Sequence, residues 1–155
     1  MNNTYAQTIK NAIVNDLQTL LNNGTIGEYQ IKDNGKINPF DRDYGAFPSA
    51  ISIPPTVSSS EMYDTTTNLR EYTFWVAFVT KPENIPSDDP TYLERLMDSV
   101  MDVFDTDVTL RGSAPGGSGP AILEPPGVVA TPAASYTVFF VTIKARVLVE
   151  AAVHP

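Results

Sequence analysis

The 155-residue chain contains no cysteine. That absence removes a disulfide framework, a thiolate nucleophile and any cysteine-based zinc site. Histidine is nearly absent too: His154, next to the last residue, is the only one. A penultimate histidine reads as part of a solvated tail, and no other imidazole is present to activate a serine or threonine nucleophile. Basic residues are few, with ten Lys and Arg against eighteen Asp and Glu, a formal net charge of −8. This balance argues against affinity for phosphate backbones, and solubility is its plainest meaning. No apolar stretch approaches the roughly 18 residues of a membrane-spanning helix. The start, Met1 to Tyr5, lacks the basic and apolar blocks of a secretory signal.

What is present has the texture of an ordinary globular protein, 42% hydrophobic and 10% aromatic. The length is that of a single domain, taken as residues 1–155. Tyr5, Ile9, Ile13, Leu17, Leu20 and Leu21 recur at spacings of three and four, which predicts an amphipathic helix. Asn3 or Thr4 supplies its cap and Gly24 its end. Asn34-Gly35 predicts a type I′ hairpin turn between arms at Glu28–Lys32 and Lys36–Pro39. A short strand is expected at Ala50–Ile53, stopped by Pro54-Pro55, which cannot donate to a ladder.

Leu69 to Thr80 is the clearest strand. Tyr72, Phe74, Val76 and Phe78 share one face, and Thr73, Trp75, Ala77 and Val79 the other. Large apolar groups on both sides predict that both faces are covered, with Trp75 in the core. In the last strand, Tyr136 to Val149, the residues from Phe139 to Val149 keep one apolar face. The opposite face passes from Tyr136, Val138 and Phe140 to Thr142, Lys144 and Arg146. Between these strands, Asp89 and Pro90 open a second helix with Leu93, Leu96, Met97, Val100 and Phe104 as its buried stripe. A short strand is expected at Val108–Arg111. The sum is an α+β fold, an antiparallel-rich sheet with two amphipathic helices packed on one face and long loops.

The loops are placed at 56–68 and 112–135. The first is rich in Ser and Thr with Met62 and Tyr63 in its middle. The second is rich in Gly and Pro, carries Glu124 as its one charge, and holds apolar patches at Ala121–Leu123 and Val128-Val129. Structureless loops of this length are usually functional or disordered. Ordering of 112–135 against a neighbouring subunit is the favoured reading, with permanent disorder and a local fold in the same subunit as alternatives.

Candidate chemistry is thin. Gly112–Ser118 has the glycine spacing of a phosphate loop but lacks the lysine, and its prolines spoil the helix that should follow. Asp98, Asp102, Asp105 and Asp107 form the densest carboxylate group. An EF-hand frame begun at Asp105 nevertheless puts Leu110 where glycine is required, and a solvated helix face is the simpler account. Asp41-Arg42-Asp43-Tyr44 fits a surface charge arrangement or a charge pair across a subunit contact. No catalytic residue, metal or cofactor is expected.

The order of elements is similar to that of the tail-terminator (tail-completion) proteins of long-tailed bacteriophages. It rests on the helix Tyr5–Leu21, the strand Phe47–Ile53, the aromatic strand Arg70–Val79, the helix Thr91–Phe104 and the terminal strand Tyr136–Val149. The resemblance covers most of the chain and has no sharp motif; the Gly112–Ser135 segment departs from it. It implies a non-catalytic virion protein, made in the host cytoplasm, that forms a homo-oligomeric, hexameric ring at the head-proximal end of the tail. Such a ring caps the tail tube and joins it to neck or connector proteins. From the net charge, an acidic inner wall past which DNA slides without specific binding is a further expectation. The competing readings are another neck or tube component (a head-completion or tail tube protein) and a small non-catalytic ligand-binding domain. Contact residues are expected at Arg42, Asp43 and Tyr44, at Met62 and Tyr63, and at Ile122 and Leu123. Tyr44 and Tyr63 have the alternative of covering the domain's own core.

Overall fold

The computed structural model describes residues 4–31, 45–107, 110, 117–122, 127–130 and 135–150. Helix α1, Tyr5–Asn22, starts at Thr4, whose side chain accepts from the Gln7 N–H while Gln7 reaches back to the Thr4 N–H. This reciprocal box satisfies two of the otherwise orphaned donors of the first turn. At the other end Gly24 adopts φ 82. The Gly24 N–H then donates to the Leu21 carbonyl and the Thr25 N–H to that of Leu20, the paired bonds that close a helix on a left-handed glycine. Ile9, Ile13, Leu17 and Leu20 are fully buried.

Among the described residues six strands form one mixed sheet: β1 Glu28–Ile31, β2 Ser49–Met62, β3 Thr67–Thr80, β4 Ser118–Ile122, β5 Gly127–Ala130 and β6 Ser135–Glu150. The path runs β1-β2-β3-β6-β4, and β5 also pairs with β6. Every pairing is antiparallel except β1 with β2. Helix α2, Tyr92–Thr106, packs beside α1 on one sheet face, and their apolar stripes meet Tyr72, Phe74, Val76 and Phe78 of β3 and Phe139, Val141, Ile143, Ala145 and Val147 of β6. The α+β expectation, with both helices on one face of an antiparallel-rich sheet, is what is seen. Phe78 and Phe139 sit opposite each other with ring centroids 5.1 Å apart.

Several local expectations are corrected. Residues 56–68 are no loop: β2 and β3 form one long hairpin, turning through Tyr63–Thr66. Pro54-Pro55 do not stop β2, because the pairing slips by one residue between Ile53 and Thr56 and again between Val57 and Ser59. A bulge leaves a residue out of the ladder, so residues without an N–H are accommodated there. β1 pairs in parallel with β2 through Glu28↔Ser49 to Ile31↔Ser52; the Asn34-Gly35 turn and its second arm lie outside the described residues. Within 112–135, residues 118–122 and 127–130 are strands against β6 of the same subunit. The alternative of a local fold therefore holds for those stretches. Leu110 is no strand residue but a buried turn residue at φ 49, a costly conformation for a branched side chain. Helix α2 is capped at Thr91 without a side-chain bond; Asp89 accepts from the Thr91 N–H and hydroxyl and pairs with Arg95.

The outer face, away from the helices, is covered in part. Val79, Tyr136 and Val138 form a second small cluster with Phe47 and Phe140, and Ile51 and Ala77 are fully buried. Trp75, expected in the core, is half-buried on this face.

Phe74 is fully buried between helices and sheet. Phe74→Ala should lower the unfolding free energy by about 3–5 kcal/mol, read from the shift in denaturant midpoint at unchanged slope.

Candidate assembly interface

The proximal part of the sheet is wide and the distal part is narrow. β1 covers only Ser49–Ser52 of β2, and β4 reaches only Ala145 of β6. Beyond those points, among the described residues, β2, β3 and β6 continue as a three-stranded ribbon, from Ser59↔Glu71↔Arg146 out to Met62↔Asn68↔Val149. Strands of 14 and 16 residues are needed to reach so far, well above the usual five or six or so. One cross-strand ion pair ties β3 to β6: Glu71 and Arg146 are directly opposite, Oε2 to Nε 3.4 Å. Within β3, Arg70 donates to the Tyr72 hydroxyl at 3.2 Å. Both contacts are at least partly solvated, so each contributes modestly.

The tip is ordered by its own hydrogen bonds. The Tyr63 and Asp64 N–H groups both donate to the Thr67 carbonyl, at 2.9 and 3.0 Å. One Asp64 carboxylate oxygen accepts from the Thr66 N–H at 2.8 Å and from its hydroxyl at 3.1 Å. The Thr66 N–H stabilises the ionised carboxylate, holding the Asp64 pKa below its ordinary 3.8. Residues 60–66 are all exposed.

On this tip stand large apolar side chains facing water. Met62 is 79% exposed, Tyr63 66% and, on β6 alongside, Leu148 41%. Leu148 pairs with half-buried Leu69 on the outer face. Single exposed apolar residues are common on any protein. Here they stand at the end of one ordered ribbon, Leu148 on the outer face and Met62, opposite Asn68, on the other.

Of the residues expected at contacts, Met62 and Tyr63 are brought together here. Ile122 ends β4, opposite Val141 in the subunit's own sheet, away from the tip. Arg42, Asp43, Tyr44 and Leu123 lie outside the described residues. Leu148 was missed, although it interrupts the polar series Lys144, Arg146 and Glu150 on its face.

A second feature is an open groove of about 390 Å³ between the end of α1, the Phe47-Pro48 segment and α2, lined by Thr25, Phe47, Tyr92, Arg95 and Ser99. Arg95 is engaged with Asp89 at its rim. Asp98, Asp102 and Asp105 are exposed on α2, and among the described residues no group of three or more potential ligands is placed to hold a metal ion. No described helix is long and apolar enough to cross a membrane. Neither the protein-family models nor the curated proteins compared with the chain give a match.

The Asp64 bonds fix a pH response with a definite sign. A carboxylate whose folded pKa is depressed stabilises the turn above the unfolded value and loses that contribution as pH falls through the folded value. The Thr66 amide resonance should therefore titrate with a midpoint below 3.8; a midpoint at or above that value contradicts the bond, and Asp64→Asn should abolish the transition.

Proposed function

We propose that this chain is a structural subunit that assembles with copies of itself through the distal end of its long-stranded sheet. The observation that carries the reading is the ordered ribbon tip with Met62, Tyr63 and Leu148 turned to solvent. A soluble monomer gains nothing from exposing them, whereas burying each large side chain contributes about 1.5–3 kcal/mol. The specific form suggested by the resemblance in element order is a tail-terminator ring of a long-tailed phage, hexameric, seated between tail tube and neck within the virion. In that setting the −8 net charge suits a wall past which DNA slides without adhering.

A small-ligand reading draws on the groove beside Tyr92 and Arg95. The two readings differ in what concentration does. Light scattering over a dilution series should show a transition from monomer to a closed oligomer of fixed mass; a monomer at every concentration contradicts the proposal. The double variant Met62→Ser/Tyr63→Ser should shift the transition to higher concentration by at least about tenfold, since 1.4 kcal/mol corresponds to a factor of ten. Its unfolding free energy should stay within about 0.5 kcal/mol of the parent because neither side chain packs inside the subunit.

A further inference from the structure

The two edges of the distal ribbon match each other. The Tyr63 N–H points inward to Thr67, so by the two-residue alternation of a strand Ser60 and Met62 point their backbone groups outward from β2. On the other side the Arg146 N–H points away from β3, to the Gly117 carbonyl. Leu148 and Glu150 therefore point their backbone groups outward from β6, and no described strand lies beyond them. Elsewhere the edges are blunted: Pro54, Pro55 and both bulges interrupt β2 up to Ser59, and Pro120 sits in β4. Bulges and prolines are the usual protection against edge-to-edge pairing, and among the described residues none stands at Ser60–Met62 or Val147–Val149.

We infer that the partner at this edge is a second copy of the chain, with β6 of one subunit pairing in parallel with β2 of the next. This rests on the proposed assembly and adds its geometry. β2 and β6 both run antiparallel to β3, so they share one direction. A rotation about an axis along the strands preserves that direction and brings β6 of one copy against β2 of the next, head to tail, the kind of contact that closes a ring. The register follows from the levels. Glu61, Leu69 and Leu148 are mutual partners across the ribbon, so Leu148 meets Glu61 of the next copy without slip. In a parallel ladder a residue bonds to the two neighbours of its partner. The Leu148 N–H then donates to the Ser60 carbonyl, and the Met62 N–H donates to the Leu148 carbonyl. The same pairing flanks exposed Leu148 on the outer face and exposed Met62, level with Asn68, on the other. Because the edges differ, the contact is heterologous: β2 has no need of another β2.

The test uses the full chain, whose lack of cysteine makes engineered thiols background-free. Glu61→Cys and Leu148→Cys are prepared separately, mixed at assembling concentration and oxidised. Disulfide dimers joining one variant to the other are expected, with each variant alone giving none above the level of unfolded controls. Self-linked Glu61→Cys or Leu148→Cys dimers mean a two-fold contact and overturn the inference. Leu148→Pro provides the second arm. It removes an N–H that no described strand of its own subunit uses, so the thermal midpoint should hold while the oligomer is lost; Leu148→Thr, which keeps the N–H, should retain more of it. An oligomer that persists in Leu148→Pro and forms no mixed disulfide overturns this edge contact while leaving assembly standing. A parent chain that is monomeric throughout overturns both.

Discussion

The pairing of β3 with β6 is the constraint on which the rest of the structure depends. It runs without interruption from Thr67↔Glu150 to Thr80↔Thr137. Its alternation places an apolar row from each strand under the helices and the other rows on the outer face. Every remaining strand is an addition to this pair: β2 along β3, β4 and β5 along β6, and β1 along β2. The helices follow from the same pair, because the row from Tyr72 to Phe78 with its partners on β6 must be covered, and two amphipathic stripes cover it. Central strands this long have a consequence. Among the described residues the additions stop short of the distal end, which leaves a narrow ribbon whose tip is ordered but not enclosed.

Much of this was legible in the sequence. The three-to-four spacing from Tyr5 to Leu21 and the unmixed alternation of Leu69–Thr80 and Tyr136–Val149 are strong periodic signals, and they gave the helices, the central strands and the inner face. Local chemistry was harder to weigh. Pro54-Pro55 reads as a stop in isolation, but a bulge lets the strand continue past it, and only the long partner β3 makes that continuation worthwhile. The Ser- and Thr-rich run after it reads as a loop because it has no apolar period, yet cross-strand pairing with residues 67–73 determines its conformation. The Gly- and Pro-rich segment reads as a linker for the same reason, though β6 offers an edge on which parts of it become strands.

The candidate interface was half legible. Met62 and Tyr63 stood out as apolar residues in polar company, while Leu148 was hidden inside a strand whose alternation looked complete without it. Their placement at the same end of the sheet depends on the β2–β3 turn and on the Leu69↔Leu148 pairing, neither of which spacing alone contains. Ile122 was singled out by the same local contrast but serves a strand of its own subunit. Local contrast therefore marks apolar residues that need a partner, and topology decides whether the partner is internal.

The central claim is that the ribbon's outward backbone groups are satisfied by another copy. Amide hydrogen exchange read residue by residue tests it most directly, because Glu61 and Met62 are neighbours whose N–H groups point opposite ways. In the dilute monomer the Met62 and Leu148 amides should exchange fast and the Glu61 amide slowly. On assembly Met62 and Leu148 should become protected while Glu61 stays as it was. Unchanged fast exchange at Met62 and Leu148 in the assembled protein would contradict the account.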